Sequence, residues 1–424
     1  MAPRKGSIPS HVKKKIFSHV GIDHPAVQIL ESVEDPRKPS QFFRHSLTSV
    51  LFMVIVAQIC GAKDWPQVVV MCEGMRDWLA GYVDISSGIP CERTFKNIFS
   101  IIKPELMEEL LRQTADHLRE KLPQEVVSFD GQTERGTCDR SNNNHGIHLL
   151  SAWSSENEIC LGHVTVDEKS NEITAMPRLI ETLDLKGTII TADALNTQKN
   201  TVAKAVSGGA DYLLPVKGNQ PTLLEEILSG FKQLDEEQAK AKEQWERAVE
   251  KAKEHRDEKR LKSLLEDGPR SCGATTWEST EKGHGRIERR HCTTLSAKNI
   301  PSHSEWEGFK TIVRICRERM QKGKSQKETV YYITSLGQEA ETIANAARSH
   351  WRVENSLHWR LDVIFNQDRS RYRDRIGAQN FATCRKVVLN LLRRESSLKR
   401  GIATKQAAAA CNPAYREKIV KNLF

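Results

Sequence analysis

The stretch Val126–Thr137, VVSFDGQTERGT, decides how this chain is read. It opens on β-branched and aromatic residues, a strand signal, and breaks at Asp130-Gly131. Glycine lets the backbone turn sharply, so a short strand over Glu125–Phe129 is predicted, with the Asp130 carboxylate at its carboxyl end. A second stretch repeats the arrangement: in Gly187–Gln198, GTIITADALNTQ, Asp193 follows the run Thr188–Thr191. Carboxylates so placed face the crevice where open α/β sheets bind ligands. A turn or N-cap aspartate is the competing account of each taken alone.

Working outward, His145–Trp153 and Ile159–Val166 read as two further strands, with turns at Asn142–Asn144 and Glu156-Asn157. Helix patterns follow at Ile173–Leu183 and Thr197–Ser207, the second closed by Gly208-Gly209, and Asp211–Val216 is a fifth strand. The order is βββαβαβ. Upstream, four helices are predicted at Ser46–Ile59, Trp65–Leu79, Glu92–Ile101 and Pro104–Lys121. Downstream, Lys232–Asp267 carries 10 basic and 11 acidic residues, with Glu236/Lys240, Glu243/Arg247 and Glu258/Lys262 at i,i+4, and reads as one long exposed helix. Thr275–Cys292, Thr311–Arg319 and Thr329–Thr334 look strand-like, and helix resumes from Glu339.

Glu354 lies in that last region, in HWRVENSLHWRLDVIF, His350–Phe365. Ala347, Leu357, Leu361 and Phe365 form an apolar stripe at helical spacing, and the same spacing puts Glu354 inside it. A carboxylate there loses several kcal/mol of hydration unless it is paired or ligates a metal; a buried ion pair with an arginine is the competing account. His350 and His358 flank it four residues to either side, and Asp362 lies eight beyond. Two strand-end carboxylates and one on a helix make an oxygen-only site, the kind Mg²⁺ or Mn²⁺ prefers. Two such ions can clamp both oxygens of an in-line phosphoryl displacement. No HExxH is present, which argues against zinc.

The chain has 424 residues, 38% hydrophobic and 28% charged, an ordinary globular composition with length for two or three domains. The net charge of +9 favours a polyanionic partner. Arg352–Arg400 alone holds 12 basic and 5 acidic side chains. The ten cysteines show no CxxC spacing, and MAPRKGSIPS has no apolar run behind it, so reduced thiols in a cytoplasmic protein are expected. The longest apolar stretch, Ser46–Gly61, is too short to cross a membrane and contains Thr48, Ser49 and Gln58, so a buried helix is expected there.

Taken together, an Asp after strand one, an Asp after strand four and a Glu on the helix after strand five resemble the RNase H-like core of DDE transposases. FDGQTERGT, TADALNTQ, DYLLPVKGNQP, GHGRIERR and HWRVENSLHWRLDVIF, in that order, resemble more specifically the H-repeat-associated insertion-sequence transposases, and the likeness runs from about His24 to the C-terminus, including Asp35–Arg37 and Lys399–Ile402. The resemblance implies an α+β fold: an RNase H-like mixed sheet flanked by helices. It implies an N-terminal helical domain at 1–121, the first part of the core at 122–220, an insertion at 221–330 between the fifth strand and the Glu-bearing helix, and the rest of the core at 331–424. It implies Asp130, Asp193 and Glu354 as catalytic metal ligands for two Mg²⁺ ions, with Mn²⁺ as substitute, and cleavage and joining of double-stranded DNA at element ends. The chain would act as a homo-oligomer on DNA, in the bacterial cytoplasm at the nucleoid and away from membranes. Two departures leave the ligands intact: Gln132 where the family usually has Lys, and Asn366-Gln367-Asp368 where it usually has Asn-Glu-Asp.

Lys217 in VKGNQ can reach a phosphate as a point charge. His284, Gly285 and Arg286 are candidates for a DNA-facing edge of the insertion, and the alternating Arg369, Arg371, Arg373 and Arg375 can track phosphates; solvated turns and strands are the competing account of each. The N-terminal helices, His24–Gln113, are candidates for binding the element's end. Two other function classes remain open at this point. One is a decayed transposase acting at most as a DNA-binding protein, and the other a metal-dependent phosphodiesterase of small substrates, which the basic C-terminal segment disfavours.

Overall fold

The computed structural model describes residues 30–38, 44–138, 146–166, 171–283, 285–321 and 324–422. His284, His24 and the Asn142–Asn144 turn lie outside the described residues. The chain first forms helices α1 (Leu47–Ile59), α2 (Trp65–Gly74), α3 (Glu92–Phe99) and α4 (Pro104–Leu118). Then come β1 (Val126–Glu134), β2 (Ile147–Ser154), β3 (Ile159–Val166), α5 (Glu172–Thr182), β4 (Ile189–Ala192), α6 (Lys199–Ser207) and β5 (Asp211–Val216), the βββαβαβ order expected. Next are α7 (Pro221–Glu254), α8 (Glu258–Asp267), β6 (Thr275–Gly283), β7 (Arg286–Ser296), β8 (Thr311–Gln321) and β9 (Lys324–Thr334). Last are α9 (Ala340–His350), a π-helical turn (Glu354–His358), α10 (Trp359–Val363), α11 (Arg375–Arg394), α12 (Ile402–Cys411) and α13 (Pro413–Lys421). This is an α+β protein in two compact units, Met1–Leu183 with Trp351–Phe424, and Asp184–His350.

In the first unit β3, β2 and β1 form an antiparallel meander, with an irregularity at Ala152/Trp153. The sequence reading ends β1 at Phe129. The strand instead runs on through Asp130, Gly131 and Gln132, paired with Ser151, Leu150 and Leu149, so Asp130 sits in mid-strand. Gly131 is there for space and not for a turn: a Cβ on it would lie 2.1 Å from Glu172 Oε1 and 2.7 Å from His148 Nε2.

α1 is buried along its whole length, as its unbroken apolar sequence requires, and Ser46 caps it by accepting from Ser49 N. Among the described residues no helix is long and apolar enough to cross a membrane. α11 is buried from Gly377 to Leu392 without a break. Trp65 at the start of α2 joins the helices, with ring centroids 6.1 Å from Phe95, 4.9 Å from Phe99, 5.4 Å from Tyr372 and 4.5 Å from Phe381.

Part of the basic excess of Arg352–Arg400 is therefore inside the protein. Arg385 and Lys386 are each 1% exposed. Lys386 Nζ donates to Ser151 Oγ at 2.9 Å and to His163 Nδ1 at 2.5 Å, while His163 Nε2 lies 3.0 Å from Thr383 Oγ1. A ring that accepts from an ammonium is neutral. Burial, with Lys386 adding to it, holds the His163 pKa well below its ordinary value.

In the second unit β4 runs parallel to β5, β5 pairs antiparallel with β9, and β9, β8, β7 and β6 continue as an antiparallel meander. The charged stretch read as one helix is two. α7 ends at His255, Arg256 takes a left-handed φ of 53°, and Asp257 caps α8 by accepting from Arg260 N. The pair folds back, with Trp245 Nε1 donating to Leu264 O at 2.7 Å. α7 buries Leu223, Ile227, Phe231 and Leu234. Farther along it buries only Val249 and Ala252; the rest of its surface is largely charged and includes the expected Glu243–Arg247 pair.

Two outcomes follow from this packing. Trp65→Ala should cost about 3–5 kcal/mol in urea unfolding, because the ring that four aromatic partners share is removed. His163 contributes stability that is full above its unfolded pKa of about 6.5 and declines as pH falls below it, since only the unfolded chain then takes up the proton. Relative to His163→Gln, the wild type should lose about 1.4 kcal/mol per pH unit below that point, read from denaturant melts across about pH 4.5–8.

Candidate functional site

β1 alternates its side chains, which places Asp130 and Gln132 on one face and Gly131 and Thr133 on the other. The π-helical turn lies against the first face. His358 is 3% exposed, and its Nε2 lies 3.0 Å from Asp130 Oδ2 while its Nδ1 lies 2.8 Å from Gln132 Oε1. Gln132 Nε2 donates to Asp362 Oδ2 at 2.8 Å. Burial raises the Asp362 pKa to about 6, and the Asp368 charge adds to the effect. Asp130 Oδ1 accepts from Gly131 N at 3.0 Å.

Glu354 corrects the sequence reading. Trp359 N–H bonds to Glu354 O, so the helix widens by one residue here. Val353, Leu357, Leu361 and Phe365 are the buried stripe, and Glu354 is exposed beside it. The desolvation argument and the competing buried ion pair both fall away. What singles Glu354 out is company: one ligand atom each of Asp130, Glu354 and His358 lie within 4.8 Å of one another. Two carboxylates and an imidazole are a donor set that a divalent first-row ion accepts. His358 is the residue that sequence reasoning misses. Paired with His350 it suggests only zinc and is set aside, although its place between Leu357 and Leu361 on the apolar side of the helix is a usable signal.

Asp193 belongs to the second unit, at the end of β4 as expected. It opens a 3₁₀ turn, Ala194–Asn196, but its side chain makes no cap hydrogen bond there. The carboxylate is turned to His350 at the end of α9, with Oδ1 3.6 Å from Nε2, and His350 Nδ1 lies 3.2 Å from Thr191 Oγ1. The His350 ring holds the Asp193 pKa below the usual range, against the opposing effect of burial, and Lys217 helps. Lys217 is exposed on the turn after β5. That turn is tied to the one after β4 by Asn219 Nδ2 donating to Ala194 O at 2.6 Å and Gln220 Nε2 to Thr197 O at 2.9 Å.

Among the outlying candidates, Arg286 opens β7 half-buried, with Nε 4.0 Å from Glu288 Oε2. Arg369, Arg371 and Arg373 are exposed, while Tyr372 between them turns inward and donates to Lys96 O at 2.9 Å. The loop that carries them is tied to the end of β1, where Arg135 N donates to Asp368 Oδ1 at 3.3 Å.

A family model described as Transposase DDE domain matches residues 121–391, and one described as DDE_Tnp_1-associated matches 27–114. Putative transposase YncI of Escherichia coli is 32% identical over 382 residues, covering 89% of this chain and 90% of that protein. H repeat-associated putative transposase YhhI of Escherichia coli is 31% identical over 413 residues, covering 96% and 98%. The stretch matched by the first model contains Asp130, Asp193 and Glu354, and the relatives align over nearly their whole length; the chain belongs to the DDE transposases, in their H-repeat-associated branch.

Proposed function

We propose that this transposase cuts and joins double-stranded DNA at the ends of an insertion sequence, with Asp130, Asp193 and Glu354 as the carboxylates that hold two Mg²⁺ ions, or Mn²⁺ in their place. The reading is carried by one observation: a mid-strand Asp and a Glu from a distant helix meet with a histidine inside 4.8 Å. When bound, such ions stabilise the attacking and leaving oxygens of an in-line displacement at phosphorus. The chain supplies rigidity and charge. Gly131 N–H and the His358 ring fix the two oxygens of Asp130, so its carboxylate is oriented before anything binds. Glu354, exposed on the π turn, completes the set. Lys217 beside Asp193 offers a phosphate one cationic contact. The RNase H-like reading fits the strand order and the three positions. The departures at Gln132 and Gln367 spare all three carboxylates, which supports an active copy over a decayed one.

DNA would be gripped through phosphates by Arg369, Arg371 and Arg373, with Arg286 on the insertion, and the N-terminal helical domain, 1–121, would bind the element's end. The protein would work as a homo-oligomer on DNA at the nucleoid.

Asp130→Asn, Asp193→Asn and Glu354→Gln should each lower Mg²⁺-dependent nicking of end-bearing DNA by more than about 100-fold, beyond the roughly 10–100-fold typical of outer contacts. End binding in gel shifts should persist. Because Glu354 is exposed, Glu354→Gln should leave the melting temperature unchanged. A nicking-competent Glu354→Gln protein would remove Glu354 from the site. In a separate measurement, replacing Arg369, Arg371 and Arg373 with Ala should flatten the slope of log K against log salt by about 0.9 for each phosphate that is no longer neutralised. An unchanged slope would leave them as surface residues alone.

A further inference from the structure

We propose that His358 Nε2 is a ligand of the ion held by Asp130 and Glu354, and that Gln132 and Asp362 are positioning residues that keep the imidazole in its coordinating tautomer. The mixed nitrogen and oxygen site then prefers Mn²⁺ to Mg²⁺. This rests on the metal-site reading above and departs from the oxygen-only set that the sequence leads one to expect.

The chain of contacts begins at Asp362 and runs inward. Its carboxylate accepts from Gln132 Nε2, which fixes the amide and turns Gln132 Oε1 to the ring. A carbonyl oxygen carries no proton, so Nδ1 must be the donor in that contact. With the Nδ1 proton so held, the nitrogen left to give up its proton and offer a lone pair to an ion is Nε2, which faces Asp130. Metal-bound histidines are held in this way, the far N–H engaged by an acceptor that sets the tautomer.

The spacing fits as well. Two donors each about 2.1 Å from an ion and at right angles to one another are about 3 Å apart. The observed separation of His358 Nε2 and Asp130 Oδ2 is 3.0 Å. The ion would take the place of the Nε2 proton in that contact, and the proton would leave to solvent. His358 is 3% exposed and its neighbours are the buried Leu357 and Leu361, so the ring has little freedom to turn away.

The identity of residue 132 matters to this arrangement. Lysine, which the resemblance leads one to expect after Asp130-Gly131, has only N–H donors and cannot accept from Nδ1–H. It would leave the lone pair on Nδ1 and a proton on Nε2, with His358 reduced to a hydrogen-bond donor toward Asp130. Both ions favour oxygen, but Mn²⁺, a first-row transition ion, accepts an imidazole nitrogen more readily than Mg²⁺ does, so Gln132 acts on metal choice without touching the metal.

The test uses the full chain with Mn²⁺ alone, without DNA, and reads nitrogen coupling to the bound ion by pulsed electron paramagnetic resonance, with affinities by calorimetry. The wild type should show coupling to one ¹⁴N and bind Mn²⁺ at least about tenfold more tightly than Mg²⁺. His358→Gln should lose the coupling and about 10–100-fold in Mn²⁺ affinity. Gln132→Lys, which leaves His358 in place, should lose the coupling too, and unchanged melting curves would show both variants folded. Wild-type binding without ¹⁴N coupling, or coupling that survives His358→Gln, would overturn the proposal. If Asp130→Asn still abolished Mn²⁺ binding in that case, the carboxylate site would stand without its histidine. A wild type that binds no Mn²⁺ at millimolar concentration would sink both.

Discussion

A helix buried on every side must find partners for its polar side chains inside the protein; α11 does so for most of them, Asn380 Oδ1 and two Arg385 nitrogens excepted, in a way that organises the first unit. Asn380 Nδ2 donates to Phe99 O and Ile102 O, at 2.8 and 2.9 Å, and so holds the turn between α3 and α4. Asn390 exchanges two hydrogen bonds of 2.8 Å with the backbone of Cys160 on β3. Lys386 reaches β2 and β3 through Ser151 and His163. Arg385 lies over the Phe381 ring at 4.6 Å, donates to Lys63 O, and approaches Glu134 at the end of β1 at 3.7 Å. Each tether is a buried polar group that would cost about 1–3 kcal/mol if left without its partner. Strand β1, which carries Asp130, is thereby held through Glu134 at its end and through its partner strand β2.

The two histidines that flank Glu354 at equal distances in sequence play matching parts. His358 meets Asp130 in the first unit, and His350 meets Asp193 in the second. A carboxylate held by an imidazole has its oxygens oriented before any ligand arrives, which reduces the reorganisation needed at the moment of reaction. One segment of chain, His350–His358, therefore carries Glu354 and the imidazole partners of Asp130 and Asp193.

Much of this is legible in the residues. Strand order and the end of β4 at Asp193 follow from local chemistry, which one sequence displays. The errors arise where tertiary contacts decide. Asp-Gly normally marks a turn, yet here the glycine clears room for the His148–Glu172 pair, at 2.8 Å, and the strand runs through. Helical periodicity places Glu354 in the core, but a single π turn shifts the phase and moves it to the surface. Charge balance along Lys232–Asp267 hides the reversal at Arg256, because basic and acidic residues are nearly equal in number on both sides of it. Counting basic residues near the C-terminus cannot reveal that Arg385 and Lys386 are interior.

The first unit is discontinuous in sequence: Asp184–His350 is a separate compact body interposed within it. During synthesis α1, α4 and β3 leave the ribosome long before α11, the helix that covers them. At about 5–20 residues per second, translation of the intervening body alone takes about 10–30 s. Over that interval the apolar faces of α1 and β3 lack their native cover, and the second unit, which is continuous in sequence, can close first. The nascent chain can thus finish the later body before the earlier one. A chain built in this order carries an uncovered half-core for as long as the interposed body takes to be made.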